Sequence, residues 1–340
     1  MELGIVALGD LQHDPATGRP RDAEERLAQI VDYAVVADQE GLDVFGVGEH
    51  HTLDFVISSP AVVLAAVAAR TRQIRLTTAV TVLPVHDPVR VYQDFATVDL
   101  LSRGRAELTV GRSAYVEPFE IFGQDTAHYD ELFSEKLELL LRLRADDHVT
   151  WRGRFRTPLE DAPITPRAAQ SPLPVWVGVG GSRSSAERAG RLGLPMILGY
   201  IGGPLSQVRR TIDVYRAAGA AAGHEQDLQV GISSHFFAAA SDSAASDIYP
   251  YYHEYLRPKT PGGRGFVVEP AAFEAGRARG QAIMIGSAEQ LVEKIVDARQ
   301  TLGIDRFYGQ TDWGGMPSEM VAESIHRFAT EIAPAVRAAV

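Results

Sequence analysis

Gly46-Val47-Gly48-Glu49-His50-His51 (GVGEHH) directly follows an apolar run containing Leu42, Val44 and Phe45. A carboxylate and two imidazoles thus stand where a buried strand ends. In a parallel α/β barrel the carboxyl ends of the strands carry the chemistry. If this chain is such a barrel, its other unusual residues should also fall at strand ends.

The flanking sequence repeats one alternation. Strands are expected over Leu3–Leu8, Leu42–Val47, Ile74–Val82, Arg105–Val110, Pro174–Val179, Pro195–Leu198, Leu228–Phe237 and Asp305–Gln310. Helices are expected over Asp22–Glu40, Pro60–Arg70, Pro88–Leu101, Tyr129–Leu143, Ser184–Leu192, Leu205–Ala222, from Ser287 to Leu302, and over Ser318–Val336. In the first helix Leu27, Ile30, Val31, Ala34 and Ala37 share one face. Ser287 and Gln290 have capping-box spacing. Val149–Thr157 reads as a small hairpin turning at Arg152-Gly153. Eight short apolar strands, each followed by an amphipathic helix, imply parallel βαβ units closed into a (β/α)₈ TIM barrel with insertions. An open doubly wound sheet is the alternative. No composition break divides residues 1–340, so one domain is expected. The longest irregular region, about Ala238 to Ile285, carries Tyr249, Tyr251, Tyr252, Tyr255, Phe266 and a Pro261-Gly262-Gly263 turn. A loop of that length is either functional or disordered; a lid and substrate loop is the expectation here.

Under this assignment the polar landmarks share one rim. Glu49-His50-His51 follows strand 2, and Leu83-Pro84-Val85-His86-Asp87-Pro88 follows strand 3. Gly111-Arg112-Ser113-Ala114-Tyr115 follows strand 4, Gly180-Gly181-Ser182 strand 5, Gly199-Tyr200 strand 6, and Gln310-Thr311-Asp312-Trp313-Gly314-Gly315 strand 8. The turns at the opposite end are plain caps.

Composition narrows the classes. The 340 residues are 45% hydrophobic, enough for a large core. Lys and Arg number 33 against 44 Asp and Glu, a net charge of −11. Such a surface argues against nucleic acid as the main partner. With no cysteine, disulfides, thiolate catalysis and Cys-type metal sites are excluded. The N-terminus lacks a basic segment and Asp10 cuts its apolar run, so no signal peptide is expected. No window approaches the roughly 18 apolar residues of a spanning helix. A cytoplasmic protein without membrane contact is the expectation. Adjacent His50 and His51 point in different directions, and no H-x-x-x-H pair is present, so no metal is expected. Arg112 either pairs with an acidic neighbour or awaits an anionic ligand group. Gly180-Gly181-Ser182 before a helix is either a phosphate cradle or a tight turn with Ser182 or Ser184 as N-cap. Pro60–Arg70 is uncharged for ten residues, so a partner subunit should cover it.

The run from Thr77 to Gly123 (TTAVTVLPVHDPVRVYQDFATVDLLSRGRAELTVGRSAYVEPFEIFG), with FGVGEHH (Phe45–His51), VWVGVGGS (Val175–Ser182), GLPMIL (Gly193–Leu198) and QTDWGGMP (Gln310–Pro317), resembles the luciferase-like flavin-dependent monooxygenases. The resemblance spans nearly the whole chain and is weakest between Ala238 and Ala282. It implies a (β/α)₈ barrel using reduced FMN or, in one branch, F420. It implies that His50 is the catalytic histidine; Glu49 or His51 is expected to orient it. Arg112, Gly180, Gly181 and Ser182 would bind the flavin phosphate. Ala79–Val80 would form a non-proline cis peptide against the flavin ring, and Tyr115 and Tyr200 would lie near it. Reduced flavin and O₂ would give a C4a-hydroperoxide that oxidises a small substrate such as an aldehyde or ketone. A separate flavin reductase would supply the flavin, and a homodimer would form through the second and third helices, with a heterodimer as the alternative. F420-dependent hydride transfer and non-catalytic flavin binding are the competing readings. Two positions depart from the luciferases. Gly111 stands where their α chains have a reactive cysteine, and Pro118, beside Glu117, where they have an acidic residue. Light emission is therefore not expected.

Overall fold

A computed structural model describes residues 1–258 and 265–340; the expected turn at Pro261-Gly262-Gly263 lies outside them. Eight parallel strands form the barrel: β1 Glu2–Ala7, β2 Val44–Val47, β3 Arg75–Thr78, β4 Leu108–Gly111, β5 Val175–Val179, β6 Met196–Gly199, β7 Val230–Ala238 and β8 Arg306–Asp312. Their order is β3-β2-β1-β8-β7-β6-β5-β4. The ring closes where Leu76 bridges Ala106 and Thr81–Val82 pairs with Val110 and Gly111. A TIM barrel is therefore the architecture.

Side-chain alternation fills the barrel. Leu3 and Ile5 pack outward against the helices, while Val6, Val44, Trp176, Ile197 and Tyr308 form a separate cluster inside. At the amino-terminal end Arg306 lies 4.1 Å over the Trp176 ring and pairs with Glu107. That buried charge is thus paired, as burial requires.

Local chemistry sets the helix ends. Asp22 and Asp87 cap the first and third helices, and the Ser287–Gln290 capping box forms. Three expected elements differ. The strand expected over Ile74–Val82 breaks at Ala79–Val80, a cis peptide between Arg75–Thr78 and Thr81–Val82. The hairpin pairs His148–Trp151 with Leu159–Pro163, so its turn is longer than the expected Arg152-Gly153. The last helix widens to a π turn over Phe328–Ile332. Pro334 has no N–H to give Thr330, so the regular register cannot continue there.

The described part of 238–285 is not irregular. It holds helices Asp242–Ser246, Tyr249–Leu256 and Pro270–Arg277, and a short strand, Met284–Gly286, added to β7. Aromatic contacts missed by strand-period reading organise it. His235 on β7 hydrogen-bonds the Tyr252 hydroxyl at 3.2 Å, and Tyr252 meets Trp313 edge-on at 5.5 Å. Among the described residues no helix is long and apolar enough to cross a membrane.

Candidate active site

Glu49, at the exit of β2, is buried and fully partnered. Its Oε2 accepts the Val82 N–H at 2.9 Å. Its Oε1 faces Nε2 of His51 at 2.8 Å and Nε2 of His86 at 2.6 Å. Burial alone would raise this carboxyl's pKa, but the two imidazole hydrogen bonds, the charge of His86 and the Val82 N–H outweigh it and hold it at about 2. An ionised carboxylate only accepts, so both imidazoles donate through Nε2. The three donor atoms lie within 4.8 Å of one another, a spacing a divalent ion could also bridge. His86 was not among the expected site residues. Its place within the Leu83–Pro88 stretch that follows β3 was the signal that marked it.

His50 is held by different neighbours, which corrects the expectation that Glu49 or His51 orients it. Its ring stacks on Phe55 at 3.9 Å and meets the Tyr115 ring edge-on at 5.5 Å. Its backbone N–H donates to the Ile57 carbonyl. Its Nδ1 is buried and has no partner. Burial pushes its pKa down to about 4; the charge of Glu49 opposes that shift only in part. The ring is neutral at pH 7.

A second cluster lies on the same rim. Arg112, just past β4, donates from Nη2 to Ser182 Oγ at 3.1 Å and Ser185 Oγ at 2.7 Å, and contacts the Asp130 carboxylate through Nη1. Its guanidinium lies 4.9 Å over Tyr129, whose hydroxyl donates to the Ser113 carbonyl. Of the alternatives for Arg112 and Ser182, the structure shows the acidic neighbour, Asp130, and the N-cap, Ser182 accepting the Ser185 N–H at the start of helix Arg183–Arg191. Gly180 and Gly181 are exposed, with open space where a Cβ would stand, and Gly181 takes a left-handed φ of 94°. The backbone of this loop is therefore open to close approach by a ligand.

The cis Ala79–Val80 peptide implied by the resemblance is present. Val80 projects between β4 and β5, where a Cβ at Gly111 would come within 2.4 Å of its Cγ2 and one at Gly178 within 2.6 Å of its Cγ1. Val80 thus takes the space a side chain at position 111 would need, which accounts for glycine there. Tyr200, directly after β6, is buried, with its hydroxyl donated to the Gly280 carbonyl of the 238–285 insertion at 3.2 Å.

The donor set fits a flavin phosphate. A guanidinium, two hydroxyls and an open glycine loop at a helix N-terminus suit an anion. The His50 Nδ1, buried and without a partner, is left to hydrogen-bond a ligand.

Comparison with known proteins agrees with this geometry. The family model for luciferase-like monooxygenases matches residues 1–306, and the chain belongs to that family. It is 30% identical to 4-hydroxyprotoasukamycin monooxygenase of Streptomyces nodosus subsp. asukaensis, over 97% of this chain and 90% of that protein. It is 23% identical to the oxygenase component of flavin-dependent trigonelline monooxygenase of Acinetobacter baylyi, covering 90% and 89%. An F420-dependent glucose-6-phosphate dehydrogenase of Amycolatopsis mediterranei is 34% identical over 48% of this chain and 51% of its own length. Among solved structures, monooxygenase RslO1 of Streptomyces bottropensis superposes with a TM-score of 0.81 at 25% identity, covering 98% and 99%.

Proposed function

We propose that this chain is the oxygenase of a two-component flavin monooxygenase. It would take reduced FMN from a separate flavin reductase and use O₂ to oxidise a small organic substrate such as an aldehyde or ketone. The observation that carries this reading is the convergence of Arg112 with the Ser182 and Ser185 hydroxyls on the rim that also carries His50. The oxygenase component from Acinetobacter baylyi supports a partner reductase. When bound, reduced flavin supplies the electrons that activate O₂.

The chain's own residues supply the rest. Arg112, Ser182 and the Gly180–Gly181 backbone hold the phosphate. Phe55 and Tyr115 fix the His50 ring, which manages a substrate proton as a neutral base. Glu49 keeps His51 and His86 in one tautomer at the rim. The insertion 238–285 excludes water and selects the substrate. A homodimer through helices Pro60–Arg70 and Pro88–Ser102 covers the exposed Val62, Leu100 and Leu101.

The F420-dependent relative favours a second reading, hydride transfer on the same barrel. Anaerobic titration with reduced FMN and with F420 separates the two. Oxygen uptake with reduced FMN and a panel of aldehydes and ketones tests the chemistry. Tight F420 binding without FMN binding would replace the first reading with the second.

A further inference from the structure

Asp130 and Arg188 complete the surroundings of Arg112. Asp130 lies in the first turn of helix Tyr129–Ala145, and Arg188 lies in helix Arg183–Arg191, which Ser182 caps. Arg188 Nη2 stands 3.7 Å from the Asp130 oxygen that also contacts Arg112. The two arginine side chains are only 13% and 18% exposed, whereas that of Asp130 is 63% exposed. Arg188 Nη1 is buried and has no partner. Its guanidinium lies 5.3 Å over the Phe133 ring, which holds it in place. Two shielded cations thus share one exposed anion beside the open Gly180–Gly181 loop.

We propose that Arg112 and Arg188 together form a two-arginine site for a phosphate monoester dianion, and that Asp130 is the internal counter-ion the phosphate displaces. The inference rests on the flavin reading above and extends it by two residues. Charge bookkeeping supports displacement. With Asp130 in place the trio carries +2 − 1 = +1. A dianion added without displacement gives −1 in a partly dehydrated site, while displacement gives +2 − 2 = 0. The exposed carboxylate can rotate into water at small cost, but the shielded guanidiniums cannot follow it. Arg188 Nη1 has no partner while Asp130 is in place, and the Ser182 and Ser185 hydroxyls lie against Arg112 Nη2.

Anaerobic titrations of wild type, Asp130→Asn, Arg188→Gln and Arg188→Lys with reduced FMN and with reduced riboflavin, which lacks the phosphate, test this. Asp130→Asn should bind FMN about tenfold tighter, and Arg188→Gln about tenfold weaker, as for a charge-assisted hydrogen bond gained or lost. Arg188→Lys should recover part of that loss. Riboflavin affinity should not move in any variant, which also shows that each is folded. If FMN affinity ignores Asp130 and Arg188 while Arg112→Ala still weakens it, the two-arginine site is overturned and the flavin reading stands. Equal losses for both flavins in the Arg188 variants overturn it too. If wild type binds neither flavin, the flavin reading falls and takes this inference with it.

Discussion

The Glu49 carboxylate meets the His86 imidazole at 2.6 Å across 37 positions of sequence. The contact joins the exit of β2 to the loop after β3, and with His51 and the Val82 N–H it uses both carboxylate oxygens. Glu49 is therefore an anchor for two imidazoles. Replacing it with Gln keeps the shape but removes the acceptor-only character that selects the Nε2–H tautomers. Activity should fall by about 10- to 100-fold, as for loss of a residue that orients a ligand or base. Dialysis against EDTA should leave the wild-type rate unchanged, because hydrogen bonds already satisfy the carboxylate. A rate lost on chelation and restored by a divalent ion would turn the trio into a metal centre.

His50 makes no hydrogen bond to that trio, so its role can be tested separately. His50→Ala should lower turnover by about 10²- to 10⁴-fold, the usual contribution of a general base. Flavin affinity should change little, because phosphate binding is assigned to Arg112 and Ser182. Stopped-flow turnover alongside equilibrium titration measures both. An unchanged turnover would remove His50 from the chemistry.

Buried titrating groups fix the direction of acid sensitivity. Burial holds His50 and His235 at about 4 rather than the usual 6.5. Between those values the unfolded chain binds two protons that the folded chain refuses, so stability falls as pH drops through that window. Asp10 acts oppositely: burial chiefly, with the Asp312 charge adding and Arg26 opposing, raises it from 3.8 to about 6, so the folded state gains a proton there. Two groups against one leave a net loss. The melting temperature should fall from pH 7 to pH 4.5, and His235→Gln should flatten that slope. A slope unaltered by the substitution would show that His235 titrates normally.

Val80 and Gly178 form a steric pair. A methyl at position 178 would stand 2.6 Å from Val80 Cγ1, so Gly178→Ala should destabilise by about 1–3 kcal/mol. Adding Val80→Ala should open room for that methyl, making the double variant more stable than the sum of the singles. Strictly additive denaturation energies would mean the two sites relax independently.

The dimer assignment rests on apolar exposure on two helices. Val62 is 68% and Leu101 59% exposed, more than an isolated helix face of this composition favours. Val62→Asp should convert a dimer into a monomer in sedimentation velocity while leaving the far-ultraviolet spectrum intact. A wild-type chain that sediments as a monomer at micromolar concentration would rule out the assignment.

Much of the barrel was legible along the chain because its causes are local. The shared face of Ile30, Ala34 and Ala37, the Asp22 and Asp87 caps and the Ser287–Gln290 box each depend on residues a turn or so apart. Strand exits could be located the same way, which brought Glu49, His50, Arg112 and Ser182 to one rim. The family resemblance marked Ala79–Val80, but period-two patterning ran straight through it. Partner choice was not legible. That Glu49 holds His51 and His86 instead of His50, that the Tyr200 hydroxyl reaches Gly280 of the insertion, and that Asp130 and Arg188 converge on Arg112 depends on ring closure and side-chain direction. Periodicity tells which face of an element meets the core, but not which side chains from separate elements meet once the ring has closed.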